Sequence, residues 1–187
     1  MCRKLPAIRY ALAADIPELQ AIEVAAASLF HKSPYSELAL ASPLSAQTYE
    51  THFANKHPVF VAEIEANNEA TQDQPRMVKA GFAFAAPLGE GLHLYELSVH
   101  KKDQGWGIGR SLLEHVLTYA REKGFPCVTL TTYSDIGWNG SFYRSAGFSI
   151  LPTASANSEL KTILRKEIDA GANVETRCIM HIDLSRQ

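Results

Sequence analysis

The sequence predicts an α/β protein built as one domain, and three observations carry that expectation. A chain of 187 residues falls within the size range of a single domain and can bury a substantial core. Stretches with a hydrophobic period of about 2 alternate along it with stretches whose period is about 3.6, so strands and helices interleave. No internal repeat and no linker marks a second domain between residues 1 and 187.

Taken in order, Ala7 to Tyr10 reads as a short first strand. Asp15 then caps a helix with Pro17 in its first turn and Leu19, Ile22, Ala26 and Leu29 along its apolar stripe. From Phe30 to Pro43, the Ser33-Pro34 and Ser42-Pro43 pairs break the chain into an irregular connection. Its Phe30, His31 and Tyr35 are candidates to shape a substrate pocket. A second helix covers Ser45 to Asn55, and Pro58 to Glu63 is a β-rich strand. Glu65 to Arg76, with Asn67-Asn68 and Gln72-Asp73-Gln74-Pro75, reads as a polar, mobile hairpin loop. The chain returns as a strand through Val78, Ala80, Phe82 and Phe84, and Pro87 to Gly91 makes the next turn.

From Leu92 to His100 the alternation starts with Leu92 and Leu94 and resumes with Leu97 and Val99, which have the opposite parity. That shift predicts a β-bulge near Tyr95 and Glu96, which would leave backbone amides free for a ligand. Ile108 to Lys123 follows as an amphipathic helix, with Ile108, Leu112, Leu113, Val116, Leu117 and Ala120 buried and Gly124 at its end. Cys127 to Tyr133 is a Thr-rich strand, Asn139 to Ser145 a short helix, and Phe148 to Leu151 a further strand. Leu160, Ile163, Leu164 and Ile168 outline a helix stopped by Gly171. The last strand sets Val174, Cys178, Met180, Ile182 and Leu184 against Glu175, Arg177, His181 and Asp183. His93 and His100 read as strand-surface residues, not as bases.

Charge and composition exclude several functions. The net charge is −2 with Lys and Arg scattered, so no electrostatic footprint for nucleic acid is present. No apolar run approaches a membrane span, and Met1 to Pro6 is not followed by the apolar core of a signal peptide. Cys2, Cys127 and Cys178 form no C-x-x-C pair, and the seven histidines form no close ligand pair. Neither a disulfide framework nor a metal site is expected, and a reducing, cytoplasmic setting fits best.

Chemistry concentrates in Gln104-Gly105-Trp106-Gly107-Ile108-Gly109-Arg110, between a strand and the start of a helix. Three glycines at alternate positions let a ligand approach the backbone, and the first amides of the helix then favour an anion. A Walker A loop would need Gly at Gln104 and Lys at Arg110, and a dinucleotide fingerprint would need Gly at Arg110 or at Leu112, so neither pattern fits.

Glu96-Leu97-Ser98-Val99 followed by Gln104-x-x-Gly107-x-Gly109 resembles the acetyl-CoA signature of the GCN5-related N-acetyltransferase (GNAT) superfamily. The Thr-Leu-Thr-Thr strand, Trp138-Asn139 and Phe142-Tyr143-Arg144-x-x-Gly147-Phe148 are similar to that superfamily's next motif, and the close match runs from about residue 92 to 148. The resemblance implies a central mixed, mostly antiparallel sheet, splayed at the bulged strand and flanked by helices, with CoA in the opening. It further implies that backbone groups of Leu97, Ser98 and Val99 pair with the pantetheine arm and that amides of Gly105, Trp106, Gly107, Ile108, Gly109 and Arg110 hold the pyrophosphate. Tyr143 matches the tyrosine that protonates the departing thiolate, and Glu96 a position whose residue deprotonates the amine. The superfamily's asparagine stands seven residues before the tyrosine, where this chain has Ile136. Asn139 is four before Tyr143, on the same helical face, and is the candidate here for the CoA contact.

The expected activity is therefore transfer of an acetyl group from acetyl-CoA to a primary amine, by direct attack in a ternary complex. The acceptor is a small molecule or a protein amine, Glu96 and Asp135 hint that it is cationic, and Asp135 and Trp138 are candidates to line its pocket. Two alternatives stay open, a CoA-binding sensor domain without transfer and a transferase for another acyl group. A homodimer is also left open.

Overall fold

In a computed structural model, residues 5–66 and 76–185 are described. Seven strands form one mixed sheet in the order β1-β2-β3-β4-β5-β7-β6. The strands are β1 (Ala7–Tyr10), β2 (Val59–Glu65), β3 (Met77–Leu88), β4 (Gly91–Val99), β5 (Cys127–Tyr133), β6 (Ser149–Leu151) and β7 (Arg177–Asp183). The helices are α1 (Ile16–Ala27), α2 (Ala46–Ala54), α3 (Ile108–Glu122), α4 (Gly137–Ser145) and α5 (Ser158–Asp169). The α/β class expected from the interleaved periods is the observed one. β4 and β5 pair in parallel at Leu92↔Val128, His93↔Thr129 and Leu94↔Leu130, whereas β1–β2, β2–β3, β5–β7 and β6–β7 are antiparallel.

The chain divides into two compact units, residues 1–84 with 96–116, and residues 85–95 with 117–187. In the first, β2 is buried along Val59, Phe60, Val61 and Ala62, and Leu19 and Ile22 of α1 and Tyr49 of α2 are buried as well. Burial of such side chains stabilises by about 1.5–3 kcal/mol each before conformational entropy is charged against it. Tyr49 meets Phe82 edge to face at 6.1 Å between centroids, and Phe60 meets His115 of α3 at 4.5 Å. In the second unit, Ala156, Leu160 and Leu164 pack with Ile179 of β7, joined by Leu88, Leu151 and Ile168.

Several local expectations need correction. Asp15 does not cap α1 with its side chain. Its carboxylate accepts from the Leu12 amide at 2.8 Å and from Arg9 at 2.7 Å, and it pairs with Lys79 at 3.1 Å. Leu29 lies beyond α1 in a short 3-10 turn, Ser28–Lys32, and a second such turn covers Ser36–Leu40. β3 runs through Pro87 to Leu88, so the turn is only Gly89–Glu90. Proline is tolerated there because β2 pairing ends at Val59↔Phe84, leaving no partner on that side for a missing N–H. A register shift also sits in β2 between Ala62 and Glu63. Val174 is exposed, ahead of β7. The polar loop expected from Glu65 to Arg76 lies mostly outside the described residues, as does Cys2.

Other expectations match. Ser45 caps α2 by accepting from the Thr48 amide at 3.1 Å. The stripe on α3 is buried as its spacing predicts, at Ile108, Leu112, Leu113, Val116, Leu117 and Ala120.

Candidate active site

Within the first unit, β4 ends in a short 3-10 turn, Lys101–Asp103, and the glycine loop leads into α3. Gly105 and Gly107 have φ of 79° and 78°, the left-handed region that only glycine enters freely. An added Cβ would meet nothing within 4 Å at either position, so no packing within the chain requires glycine there. The Gly107 carbonyl accepts the Ser111 amide at 2.9 Å, which makes Gly107 the residue that opens α3. Gly109 already lies inside the helix, Ile108 is buried, and Trp106 is exposed. Open space, positive φ and a starting helix together suit a phosphate-bearing ligand.

Two side chains of the expected set act on the chain itself. Gln104 donates through Nε2 to the Val99 carbonyl at 3.0 Å, tying the loop to the end of β4. Arg110 pairs with Glu114 at 2.8 Å on the exposed face of α3. Along the end of β4, Glu96 and Leu97 are half-buried, Ser98 is buried and Val99 half-buried, so Ser98, not Leu97 or Val99, is the inward residue. The Ser98 hydroxyl donates to Glu96 Oε1 at 2.7 Å and so orients that carboxylate.

Glu23 of α1 belongs to the same neighbourhood and was not singled out from sequence. Both its carboxylate oxygens accept the Leu44 amide, at 3.2 and 3.1 Å, and Oε2 also accepts the Tyr49 hydroxyl at 3.4 Å. Burial, and after it the charge of Glu96, push the Glu23 carboxyl up to about 7. Tyr49 is pushed well above the usual phenol range, first by burial and then by the charges of Glu23 and Glu96, so it remains a donor. One signal pointed to Glu23 in the sequence. It lies four residues after the buried Leu19 and beside Ile22, a carboxylate on the apolar stripe of a helix.

In the second unit, Asn139 and Tyr143 lie one turn apart on α4, both half-buried. The Tyr143 ring packs against Phe142 at 5.0 Å and Phe148 at 5.9 Å. Ile136 is a buried apolar residue just before α4 and offers no polar contact. Asp135 and Trp138 are exposed. His93 corrects the reading of a strand-surface residue: it is 1% exposed, with Nδ1 at 2.9 Å from Thr129 Oγ1, and burial lowers it to about 4. Among the described residues, no group of three His, Cys, Asp or Glu is set to hold a metal ion, and no helix is long and apolar enough to cross a membrane.

Residues 55–150 match a family model described as an acetyltransferase (GNAT) domain, just over half of the chain. A mixed, unclosed sheet with a glycine loop between β4 and α3 is the architecture of that class, and the chain belongs to the GNAT acetyltransferase family. Solved structures agree at the level of fold. The ribosomal-protein-S18-alanine N-acetyltransferase from Escherichia coli is 18% identical with a TM-score of 0.64, over 98% of this chain and 96% of that one. The PaiA N-acetyltransferase from Thermoplasma acidophilum, solved with coenzyme A, is 14% identical with a TM-score of 0.64, over 96% and 99%. N-acetylglutamate synthase from Neisseria gonorrhoeae, complexed with coenzyme A and N-acetyl-glutamate, is 18% identical with a TM-score of 0.67, over 98% of this chain but 36% of that one.

Proposed function

We propose that the chain, as a single domain, is a cytoplasmic N-acetyltransferase that uses acetyl-CoA to acetylate a primary amine on a small molecule or a protein. The observation that carries this reading is the Gly105 and Gly107 loop, whose positive φ and open surroundings serve no packing need, set at the start of α3 in a GNAT chain. Amides from Gly105 through Arg110 hold the pyrophosphate, backbone groups of Leu97, Ser98 and Val99 hold the pantetheine arm, and Asn139 adds a side-chain contact. Acetyl-CoA supplies the acyl thioester.

Glu96 takes the proton from the acceptor ammonium, so that the nitrogen lone pair becomes available. Its orientation by Ser98 supports that role. Tyr143 donates its phenolic proton to the leaving sulfur, and its ring is already positioned by Phe142 and Phe148. The Escherichia coli neighbour is a ribosomal-protein-S18-alanine N-acetyltransferase, which keeps a protein amine among the acceptors.

An amine-library screen with acetyl-CoA, read by free thiol and by product mass, tests the reading. Thiol release that depends on a particular amine, with product heavier by one acetyl group, is expected. Protein that binds CoA yet releases no thiol with any amine would instead be a sensor domain, and release only from a longer acyl-CoA would assign a different acyl group.

A further inference from the structure

Gly81 lies within β3 between the buried Ala80 and Phe82, where a glycine weakens a strand and an alanine would suit it. Its φ is not in the left-handed region, so its backbone conformation does not call for glycine. Its surroundings do. A Cβ there would stand 2.8 Å from the Ser98 carbonyl oxygen of β4, 3.1 Å from Leu112 Cδ1 of α3 and 3.2 Å from Val99 Cγ2. At Gly89 and Gly91 the atom at 2.8 Å is the tip of a side chain, Asn157 Nδ2 and Cys127 Sγ, which can turn away. The Ser98 carbonyl is backbone of a strand inside the sheet and has no such freedom. β3 is also irregular at this point: Ala62 pairs with Gly81 and Glu63 with Lys79, so Ala80 is passed over in the register with β2. On the other side the Ala80 carbonyl accepts the His100 amide at 2.8 Å. The bulge and the missing side chain therefore fall together, opposite the end of β4.

We infer that Gly81 is a positioning residue for the cosubstrate: by carrying no side chain it sets the separation between the end of β4 and α3. The inference rests on the reading proposed above, in which β4 backbone groups hold the pantetheine arm and the amides that open α3 hold the pyrophosphate. One CoA molecule is then held by both elements, and Gly81 is the seat on which both rest, Ser98 and Val99 from β4 and the fully buried Leu112 from α3. Leu112 is in the second turn of a helix that Gly107 opens, so a shift at Leu112 is carried to the loop. Gln104 ties the same two parts through the Val99 carbonyl at 3.0 Å. A Cβ held at 2.8 Å, where ordinary contact begins at 3.4 Å, must push the Ser98 carbonyl or the helix outward. A ligand gripped at two ends loses one set of contacts when their spacing changes, whereas a ligand gripped at one end does not sense it.

Calorimetry with CoA and with adenosine 3′,5′-bisphosphate, the nucleotide end of CoA without its pantetheine, tests this in wild type and Gly81→Ala, alongside melting temperatures. Folded Gly81→Ala should melt lower, bind CoA about tenfold or more weakly, and bind the bisphosphate as wild type does. A role in packing alone predicts a lower melting temperature with both affinities unchanged. That result would overturn the inference, as would an equal loss for both ligands. Wild type supplies a second measurement if the variant does not fold. Nuclear Overhauser effects from the Gly81 α protons to the Leu112 and Val99 methyl groups should persist at the same strength when CoA is added. Their loss on CoA binding would show that this contact does not set the spacing, and would equally overturn the inference. Wild type that binds neither ligand would instead remove the cosubstrate reading, and the inference with it, so the two failures are told apart.

Discussion

At the scale of single residues, Tyr143 and Asp15 show how differently two polar side chains depend on their surroundings. Tyr143→Phe removes one hydroxyl and keeps the ring against Phe142 and Phe148. Loss of one acid should lower turnover by about a hundredfold to ten-thousandfold, equal to about 3–5 kcal/mol in the barrier, with melting temperature and CoA affinity nearly unchanged. A destabilised but fully active Tyr143→Phe protein would assign the residue to packing and the proton to water or Tyr133. Asp15 is the structural counterpart. Burial would push its carboxyl up, but hydrogen bonds from Arg9, the Leu12 amide and Lys79 outweigh it and hold it well below the usual carboxylate range. A lowered folded value means stability present above the ordinary 3.8 and lost as pH falls below it. Urea midpoints between pH 6 and 3 should therefore fall in wild type and fall less in Asp15→Asn, which starts from a lower midpoint. Glu96, Tyr143 and the glycine loop stand out in the sequence as candidates because each lies in a contiguous motif. The partners of Asp15 and Glu23 come from Arg9, Lys79, Leu44 and Tyr49, and no local pattern joins those positions.

Among the elements, the loop between β4 and α3 makes the sharpest prediction. Gly107→Val must hold a β-branched residue at a φ near 78°, at a backbone cost of about 1–2 kcal/mol, but its methyls meet no protein atom. The variant should fold with a modestly lowered melting temperature and bind CoA much more weakly, as calorimetry would measure. Unchanged affinity in the folded variant would reduce the loop to a turn. Element positions were legible where one face is buried and one solvated, as in α3, whereas β7 buries Ile179 on the face expected to be solvated as well as Met180 and Ile182 on the other. Where β3 and β4 are covered on both faces, alternation fails as a guide. Ala80 through Ala86 are all buried, and His93 lies between the buried Leu92 and Leu94. The polar identity of His93 suggested the surface, but Thr129 at 2.9 Å satisfies it in the interior.

At the scale of the whole molecule, a buried histidine and a half-buried glutamate oppose each other in pH. His93 is lowered from an ordinary 6.5 to about 4, so the unfolded chain takes up its proton first and stability rises with pH across that window. Glu23 is raised from an ordinary 4.5 to about 7, so the folded state holds its proton longer and stability falls as pH rises from 4.5 through 7. The two slopes offset each other in wild type. Glu23→Gln removes one of them, and its melting temperature relative to wild type should climb steadily between pH 4.5 and 7. A constant difference would mean that Glu23 is not raised in the folded state. The central claim concerns the cosubstrate, and thermal denaturation with CoA, acetyl-CoA, NAD or ATP tests it most directly, because a ligand that binds only the folded state must raise its melting temperature. CoA and acetyl-CoA should each raise the transition in wild type and fail to do so in Gly107→Val, with NAD and ATP inert in both. A transition moved by NAD and unmoved by saturating CoA would contradict the account.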